Sequence, residues 1–286
     1  MFGFLNINKP KGITSHDVIA KLRKVIKIKQ IGHSGTLDPL AQGVLPVAVG
    51  KATRLLEYLS DEKAYIVTLE FGKISDTYDT EGNIEFFSDN KVTADCVLKC
   101  LPNFSGNIVQ IPPAFSAVHY NGKRLYELAR EGIFPEDIPK REVFVESIKM
   151  LDFNDVNQTC IIEIYCSKGT YIRSIVHDLG QMLNVGAVMT DLVRIKSSNF
   201  VLDTATELAK LNTAQDVQAI LINPLEVLSY NRVNLSEEEY SKVKNGNPLP
   251  NPNYPGDSRL MLEFQERLVA FAKVQEDIIK LDKVFV

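Results

Sequence analysis

The sequence has few cysteines and no long apolar run. None of its four cysteines belongs to a Cys-X-X-Cys pair or has a histidine at the spacing of metal ligands. We therefore expect buried free thiols rather than a zinc site. No apolar run approaches the roughly 20 residues that a membrane-spanning helix needs, and the N-terminus lacks a signal-peptide pattern. The sequence predicts a cytoplasmic protein that holds no metal.

The net charge of the chain is small, but the charges are unevenly distributed. Its 286 residues include 32 basic and 36 acidic side chains, a net charge of −4, which by itself argues against nucleic acid as a partner. Residues 1–37, however, carry seven basic residues against one acidic residue, a local charge of +6. This patch is typical of a surface that binds a polyanion. A solvated helix face is the alternative that the charges alone leave open.

The order of predicted elements indicates an α+β fold. Strands and helices are mixed without a regular βαβ repeat, which favours a mixed, largely antiparallel sheet flanked by helices. The predicted strands cover residues 4–8, 65–71, 107–111, 116–120, 143–153 and 159–166. The predicted helices cover residues 15–26, with Ser15 as the cap, and 52–59, 93–101, 125–130, 171–183, 204–211 and 214–221.

The composition and the pattern of predicted elements change near residues 225–232. A helix over 236–244 is followed by a stretch rich in Gly, Pro and Asn, and then by β-like segments at 260–264 and 268–274. We therefore expect two domains, residues 1–228 and a small β-rich module over residues 229–286.

Two polar loops are candidates for function. The segment Gly32–Pro46 contains three glycines and two prolines, so neither a helix nor a strand runs through it, and its apolar residues make it costly to order. Holding Asp38 rigidly in a cleft would justify that cost, although Asp38-Pro39 also reads as an ordinary turn. The segment Asp76–Gly82 loosely resembles a calcium loop, but its ligand spacing is wrong, and we expect a hairpin connection.

Four segments occur in an order that identifies a family. They are Asn8–Ser15, Gly32–Arg54, Gln110–Tyr126 and Ser167–Ser174. Together they closely resemble the TruB family of tRNA pseudouridine-55 synthases, from residue 1 to about residue 210. Residues beyond the boundary resemble the RNA-binding PUA module only weakly. The resemblance implies a pseudouridine synthase fold and the isomerisation of uridine to pseudouridine in the T-loop of tRNA, with neither metal nor cofactor.

The resemblance also assigns roles to residues. Asp38 matches the catalytic aspartate, Arg173 matches an arginine that pairs with it and keeps it ionised, and Tyr65 matches a tyrosine beside the target base. The remaining matches line the pocket (Tyr171, Leu192), contact the RNA (His33) or support the catalytic loop (Lys9). By pattern alone, Arg173 would be a surface charge, and Tyr65 and Leu192 would be core residues. The sequence departs from the family at His119, where lysine is common, and near Ser198, where glycine is common.

The expected partner is the T stem-loop of tRNA, bound by a monomer. The target nucleotide must be flipped out of its stack, because the reacting atoms are otherwise out of reach. One alternative is an RNA-binding protein without chemistry, which gives no reason for a constrained aspartate. Another is a nucleosidase, which would need a second carboxylate that the matching segments do not supply.

Overall fold

The computed structural model describes residues 1–135 and 137–286. Its strands are β1 (Gly3–Lys9), β2 (Ile31–His33), β3 (Gln42–Val49), β4 (Lys63–Phe71), β5 (Lys73–Ser75), β6 (Ile84–Phe86), β7 (Gly106–Gln110), β8 (His119–Tyr120), β9 (Lys123–Arg124), β10 (Arg141–Asn154), β11 (Thr159–Cys166), β12 (Ala187–Ser197), β13 (Phe200–Val201), β14 (Thr206–Glu207), β15 (Asn231–Asn234), β16 (Leu249–Pro250), β17 (Arg259–Phe264), β18 (Arg267–Gln275) and β19 (Ile278–Val284). Its helices are α1 (Ser15–Ile26), α2 (Ala94–Cys100), α3 (Leu125–Arg130), α4 (Ile172–Met182), α5 (Ala214–Ala219), α6 (Pro224–Val227) and α7 (Glu237–Lys244). Four short 3₁₀ helices lie at Gly50–Tyr58, Leu101–Phe104, Leu202–Thr204 and Leu208–Lys210.

A ten-stranded mixed sheet forms the larger part of the protein. Its order is β14-β1-β3-β12-β4-β11-β10-β7, with β2 paired to β3 and β13 paired to β12. The pairs β1–β14 and β3–β12 are parallel, and the others are antiparallel. One apolar core joins the sheet to α2 and α4, and another joins it to α1 and α5. The predicted α+β class, with a largely antiparallel sheet flanked by helices, is confirmed.

The first helix begins as predicted, but its cap is a different residue. Thr14, not Ser15, is the N-cap: its hydroxyl accepts from the backbone N–H of Asp17, whose carboxylate accepts in return from the Thr14 N–H. Ser15 is buried, and its hydroxyl bonds both the carbonyl and the N–H of Leu37, at 3.1 and 2.8 Å. The start of α1 is therefore fastened to the loop that carries Asp38.

Several segments differ from the predicted elements. Residues 42–49 form strand β3, although the glycines and prolines of this segment argued against a strand, because pairing with β1 and β2 outweighs that local signal. Residues 204–211 do not form one helix: β14, paired with β1, separates two single 3₁₀ turns, because pairing with the sheet edge outweighs helix propensity here. Only His119–Tyr120 of the predicted strand 116–120 is a strand. Instead, the carbonyls of Ser116 and Val118 accept from the first N–H groups of α3.

Strand β12 was not predicted, although it lies in the middle of the sheet between β3 and β4. A half-buried strand is recognised in a sequence by alternating apolar and polar residues. The polar residues of β12, such as Asp191, Arg194 and Lys196, interrupt that alternation. This strand carries Leu192, so its position decides where that side chain lies.

The C-terminal module is a five-stranded sheet of order β15-β17-β18-β19-β16. The β-rich character predicted for this region is confirmed, although β15, β16 and β19 were not predicted. Its apolar residues also pack against the larger sheet, in a buried cluster that includes Phe4, Leu225 and Phe271. Tyr58 stacks on Phe271 with ring centroids 3.9 Å apart. Residues 229–286 therefore share a packed apolar interface with the larger sheet.

No helix in the part of the chain that the structure describes is long and apolar enough to cross a membrane. The four cysteines are free, but only Cys160 and Cys166 are buried; Cys96 is exposed and Cys100 is half-buried. The prediction of buried thiols was thus wrong for α2, which presents Cys96 on its solvent side.

Candidate active site

The loop between β2 and β3 is held from several sides and places Asp38 at the edge of a cavity. Leu37 and Ala41 are buried beneath it. The Pro39 carbonyl accepts from the Gly12 N–H at 2.8 Å, and Ser15 holds Leu37 as described above. The Asp38 side chain itself remains 37% exposed. The loop is therefore ordered by its neighbours, while the carboxylate remains open to a ligand.

Arg173 lies near the N-terminus of α4 and is buried, contrary to the surface charge that its pattern alone suggested. Its Nε is 3.0 Å from Asp38 Oδ2. Its Nη1 donates to the Thr77 carbonyl at 3.0 Å, and its Nη2 donates to the Phe115 carbonyl at 3.1 Å. All three guanidinium nitrogens are thus engaged, which fixes the direction from which Arg173 meets Asp38.

A second carboxylate, Asp79, contacts the same arginine and was missed by sequence reasoning. Its Oδ2 is 3.7 Å from Arg173 Nε, and its side chain is 3% exposed. Its Oδ1 accepts from the Thr77 hydroxyl at 2.6 Å and from the Glu81 N–H at 3.0 Å. The predicted hairpin is confirmed, because β5 pairs with β6, but the loop between them turns inward instead of facing solvent.

The inward turn of this loop is fixed by β12. Thr80 donates its N–H to the Met189 carbonyl, and the Met189 N–H donates to the Tyr78 carbonyl. Tyr78 has a φ of +64° and stacks on His177 of α4, with ring centroids 3.9 Å apart. Because the loop needs both β12 and α4 to turn inward, its own sequence carried no signal that Asp79 would be buried.

Five of the seven predicted site residues meet at one cavity of about 660 Å³. They are Asp38, Tyr65, Tyr171, Arg173 and Leu192. Strand pairing brings two of them together, because β4 and β12 are adjacent and place Tyr65 opposite Arg194, two residues beyond Leu192. Burial raises the pKa of the Tyr65 hydroxyl, with Arg194 opposing that change, so the hydroxyl is protonated at neutral pH.

Lys9 does not line this cavity. It is fully buried, and its ammonium donates to the carbonyls of Pro10 and Ile13 at 2.9 and 2.6 Å. Burial lowers the pKa of Lys9 to about 8. Its bonds hold the turn whose Gly12 N–H bonds the Asp38 loop. Lys9 is therefore placed to support that loop indirectly and cannot reach RNA.

His33 also lies outside the cavity lining, at the end of β2. Its side chain is half-buried, and burial lowers the pKa of its imidazole, with the nearby Arg194 adding to the effect. The ring is therefore neutral at physiological pH and offers a hydrogen bond rather than a charge.

The basic N-terminal region offers fewer free cations than its charge suggested. Lys9 is buried, Lys11 pairs with Asp191 at 2.8 Å, and Lys21 donates to the Leu208 carbonyl at 2.8 Å. Lys24 and Lys27 are exposed on α1 and at its C-cap. Among residues 1–135 and 137–286, no group of three or more His, Cys, Asp or Glu side chains could hold a metal ion.

The chain is similar to known proteins over most of its length. Residues 23–172 match the description "TruB family pseudouridylate synthase (N terminal domain)", and residues 173–228 match "tRNA pseudouridylate synthase B C-terminal domain". A curated relative from Synechocystis, named tRNA pseudouridine synthase B, is 44% identical over 89% of this chain and 88% of its own length. A relative of the same name from Carboxydothermus hydrogenoformans is 40% identical over 100% of this chain and 99% of its own length.

A solved structure described as "Crystal Structure of a Cbf5-Nop10-Gar1 Complex" contains a chain with a similar fold. The TM-score is 0.75 at 25% identity, and the match covers 100% of this chain and 85% of that one. The family models thus match residues 23–228, and the solved structure shows a similar fold over the whole chain. The protein belongs to the TruB family of pseudouridylate synthases.

Proposed function

We propose that this protein isomerises uridine to pseudouridine in the T-loop of tRNA, at position 55, with Asp38 as the catalytic carboxylate and without a cofactor. The observation that carries the proposal is the Asp38–Arg173 pair at 3.0 Å, at the edge of a cavity of about 660 Å³ in a member of this family. The cavity is large enough for one nucleotide.

The reaction breaks the bond between N1 and C1′, turns the uracil and joins C5 to C1′, so atoms balance within the substrate. Asp38 can begin it by attacking C1′ or C6, or by taking the 2′ proton, and the proposal covers all three routes. Each route needs a carboxylate that faces the ribose or base. Arg173 directs the carboxylate, because it is itself held by two backbone carbonyls.

The other cavity residues bind the base. Tyr65 is 7% exposed and Leu192 is 6% exposed, so each presents a small part of its surface to a ligand in the cavity. The Tyr65 ring can stack on uracil, and its protonated hydroxyl can take part in moving the C5 proton at the end of the reaction. Tyr171, which precedes α4, lines the cavity beside Arg173.

The substrate reaches this cavity by base flipping, which costs a few kcal/mol. Phosphate contacts with the exposed lysines of the N-terminal region, and a contact from His33, would offset that cost. We further propose that the protein acts on the T stem-loop as a monomer.

The two alternative functions fit the site less well. Glycoside hydrolysis uses two carboxylates that flank the bond. The second carboxylate here, Asp79, is buried, and it is absent from the cavity lining. A protein that only binds RNA would have no use for the buried Arg173 and its two carboxylate neighbours, because burying such charges is costly.

The test uses tRNA transcripts with tritium at C5 of uridine. Isomerisation releases tritium while the base stays attached; a nucleosidase would release labelled uracil; a binding protein would release neither. Release of tritium from position 55, with intact RNA and a pseudouridine at that position, is the result that the proposal predicts. Labelled free uracil, or RNA binding without release, would reject it.

A further inference from the structure

Two cationic side chains that the proposed chemistry does not use lie together beside the catalytic loop. Gly35 in that loop has a φ of +73°, and a Cβ built on it would lie 3.2 Å from Lys63 Nζ and 3.2 Å from Arg194 Nη1. Lys63 lines the same cavity as Asp38 and Tyr65. The ammonium and the guanidinium are therefore close neighbours: Lys63 lines the cavity, and Arg194 is buried behind it.

Arg194 is fixed in place, but its charge is not neutralised. It is fully buried in β12, and its Nε and Nη2 donate to the carbonyls of Val44 and Gly35 at 2.7 and 3.0 Å. These carbonyls satisfy hydrogen bonds but carry no net charge. Its Nη1 has no hydrogen-bond partner by geometry within the described residues, although Arg194 lies close enough to the Tyr65 hydroxyl to affect its pKa. Among the described residues Arg194 forms no salt bridge, so its buried charge lies unpaired behind the cavity.

Lys63 also has no salt bridge in the part of the chain that the structure describes. Asp61, a carboxylate whose charge acts on Lys63, is itself paired with Lys168 at 2.9 Å. Burial, followed by the neighbouring Arg194, lowers the pKa of Lys63 to about 8, while Cys166 and Asp61 oppose the change. Two neighbouring cations without a salt-bridge partner repel each other at this buried site. An anion bound to Lys63 in the cavity would offset that repulsion.

We propose that Lys63, set against Arg194, binds a backbone phosphate of the flipped-out nucleotide. The inference rests on the proposed function, because the anion is a group of the substrate RNA. Lys63 and Tyr65 are two residues apart on β4, so their side chains leave the same face of the sheet, separated by about 6.8 Å along the strand. That separation is comparable to the distance between a base and its own phosphate. One strand thus presents the base-binding ring and the phosphate-binding ammonium at matching positions.

The test combines changes in the protein with changes in the RNA. T-arm stem-loops are prepared with a neutral methylphosphonate in place of the phosphate on the 5′ side or the 3′ side of the target nucleotide. The 2′-hydroxyl next to each linkage is replaced by hydrogen in these RNAs and in their controls. Dissociation constants are measured for the wild-type protein, Lys63→Met and Lys63→Arg. A methylphosphonate in the distal stem serves as the RNA control.

If the proposal is right, one of the two flanking methylphosphonates weakens wild-type binding by about 10- to 100-fold, the usual range for a hydrogen bond to a charged group. Lys63→Met binds the natural RNA more weakly by a similar factor and is insensitive to that methylphosphonate. Lys63→Arg keeps the sensitivity. Lys149→Met is the matched control, because it removes an exposed lysine that does not line the cavity and should keep the full wild-type sensitivity.

If Lys63 had only a structural role, the effects of Lys63→Met and of the flanking methylphosphonate on binding would simply add. The proposal is overturned if neither flanking methylphosphonate costs the wild-type protein more than the distal one, or if Lys63→Met retains the full penalty. The first of these outcomes is decided with wild-type protein alone, so it holds even if the variant fails to fold. Failure of the proposed function shows separately, as the absence of tritium release from the natural RNA.

Discussion

Removing the Arg173 side chain should destabilise the protein chiefly through Asp79, not through Asp38. Asp38 is 37% exposed, so solvent screens much of its attraction to the guanidinium. Asp79 is 3% exposed and 3.7 Å away, which corresponds to about 4 kcal/mol at an effective dielectric constant near 20. Breaking a buried pair by deleting one partner typically costs about 3–5 kcal/mol. We expect Arg173→Met to lower the free energy of unfolding by that amount.

The origin of this cost can be isolated with Asp79→Asn. Asparagine keeps the shape and can still accept from the Thr77 hydroxyl and the Glu81 N–H, but it removes the buried charge. In the wild-type background Asp79→Asn should be destabilising, because Arg173 loses a counter-charge. In the Arg173→Met background it should instead restore about 1–3 kcal/mol, because no charge is left unpaired.

Urea unfolding at pH 7, with each free energy of unfolding extrapolated to water, measures these effects. Arg267→Met, which removes an exposed arginine of the C-terminal module, is the control and should change stability by less than about 0.5 kcal/mol. The double variant should remain inactive although it is more stable than Arg173→Met, since Asp38 still lacks its partner. An effect of Asp79→Asn with the same sign in both backgrounds would refute this account of the pair.

Three further predictions concern other parts of the chain. The pKa of Lys9 is about 8 in the folded protein and 10.5 in the unfolded chain, so the folded state binds this proton less tightly. The free energy of unfolding should therefore rise as the pH increases from about 8 to 10.5. In urea titrations at several pH values, Lys9→Met should lose part of that rise. Lys24→Ala combined with Lys27→Ala should flatten the slope of log K for tRNA binding against log salt concentration by up to about 0.7–0.9 per lost phosphate contact. Lys21→Ala should act mainly on stability, since the Lys21 ammonium donates to a backbone carbonyl. An unchanged slope for the double variant would mean that α1 faces away from the RNA. Phe271→Ala should lower the free energy of unfolding by about 3–5 kcal/mol, because Phe271 is fully buried where the module meets the larger sheet. The whole chain should still melt in a single transition, at a lower temperature. Two separate transitions would show that the module unfolds on its own.

The sequence predicted the parts of the fold that depend on local pattern. Strand β11 and helix α3 have the predicted bounds, because their apolar periodicity and end signals are strong. Strand β12 was missed because the partners of its polar residues are supplied only by the folded sheet: Asp191 and Lys196 form ion pairs, and Arg194 donates to a backbone carbonyl. Local pattern cannot reveal a partner that is distant in sequence.

The same limit applies to the candidate site. Asp38 was identifiable because its loop is costly to order and belongs to a long segment that resembles one family. Asp79 was not, since its burial depends on α4 and β12, which lie about 100 residues further along the chain. Arg194 also escaped notice, because a buried arginine held only by backbone carbonyls has no sequence signature. The sequence therefore predicted the catalytic candidate Asp38 but not the buried charged residues around the site, Asp79 and Arg194.

The most direct test of the central claim is tritium release from C5-labelled tRNA by Asp38→Asn protein. The change removes the charge and the nucleophile while nearly preserving shape, so tRNA affinity should stay within about tenfold of wild type. Asp191→Asn is the control, because it removes a half-exposed carboxylate paired with Lys11 and should leave release intact. The account predicts no release by Asp38→Asn at any enzyme concentration that binds all the tRNA. Appreciable pseudouridine formation by homogeneous Asp38→Asn protein would contradict it.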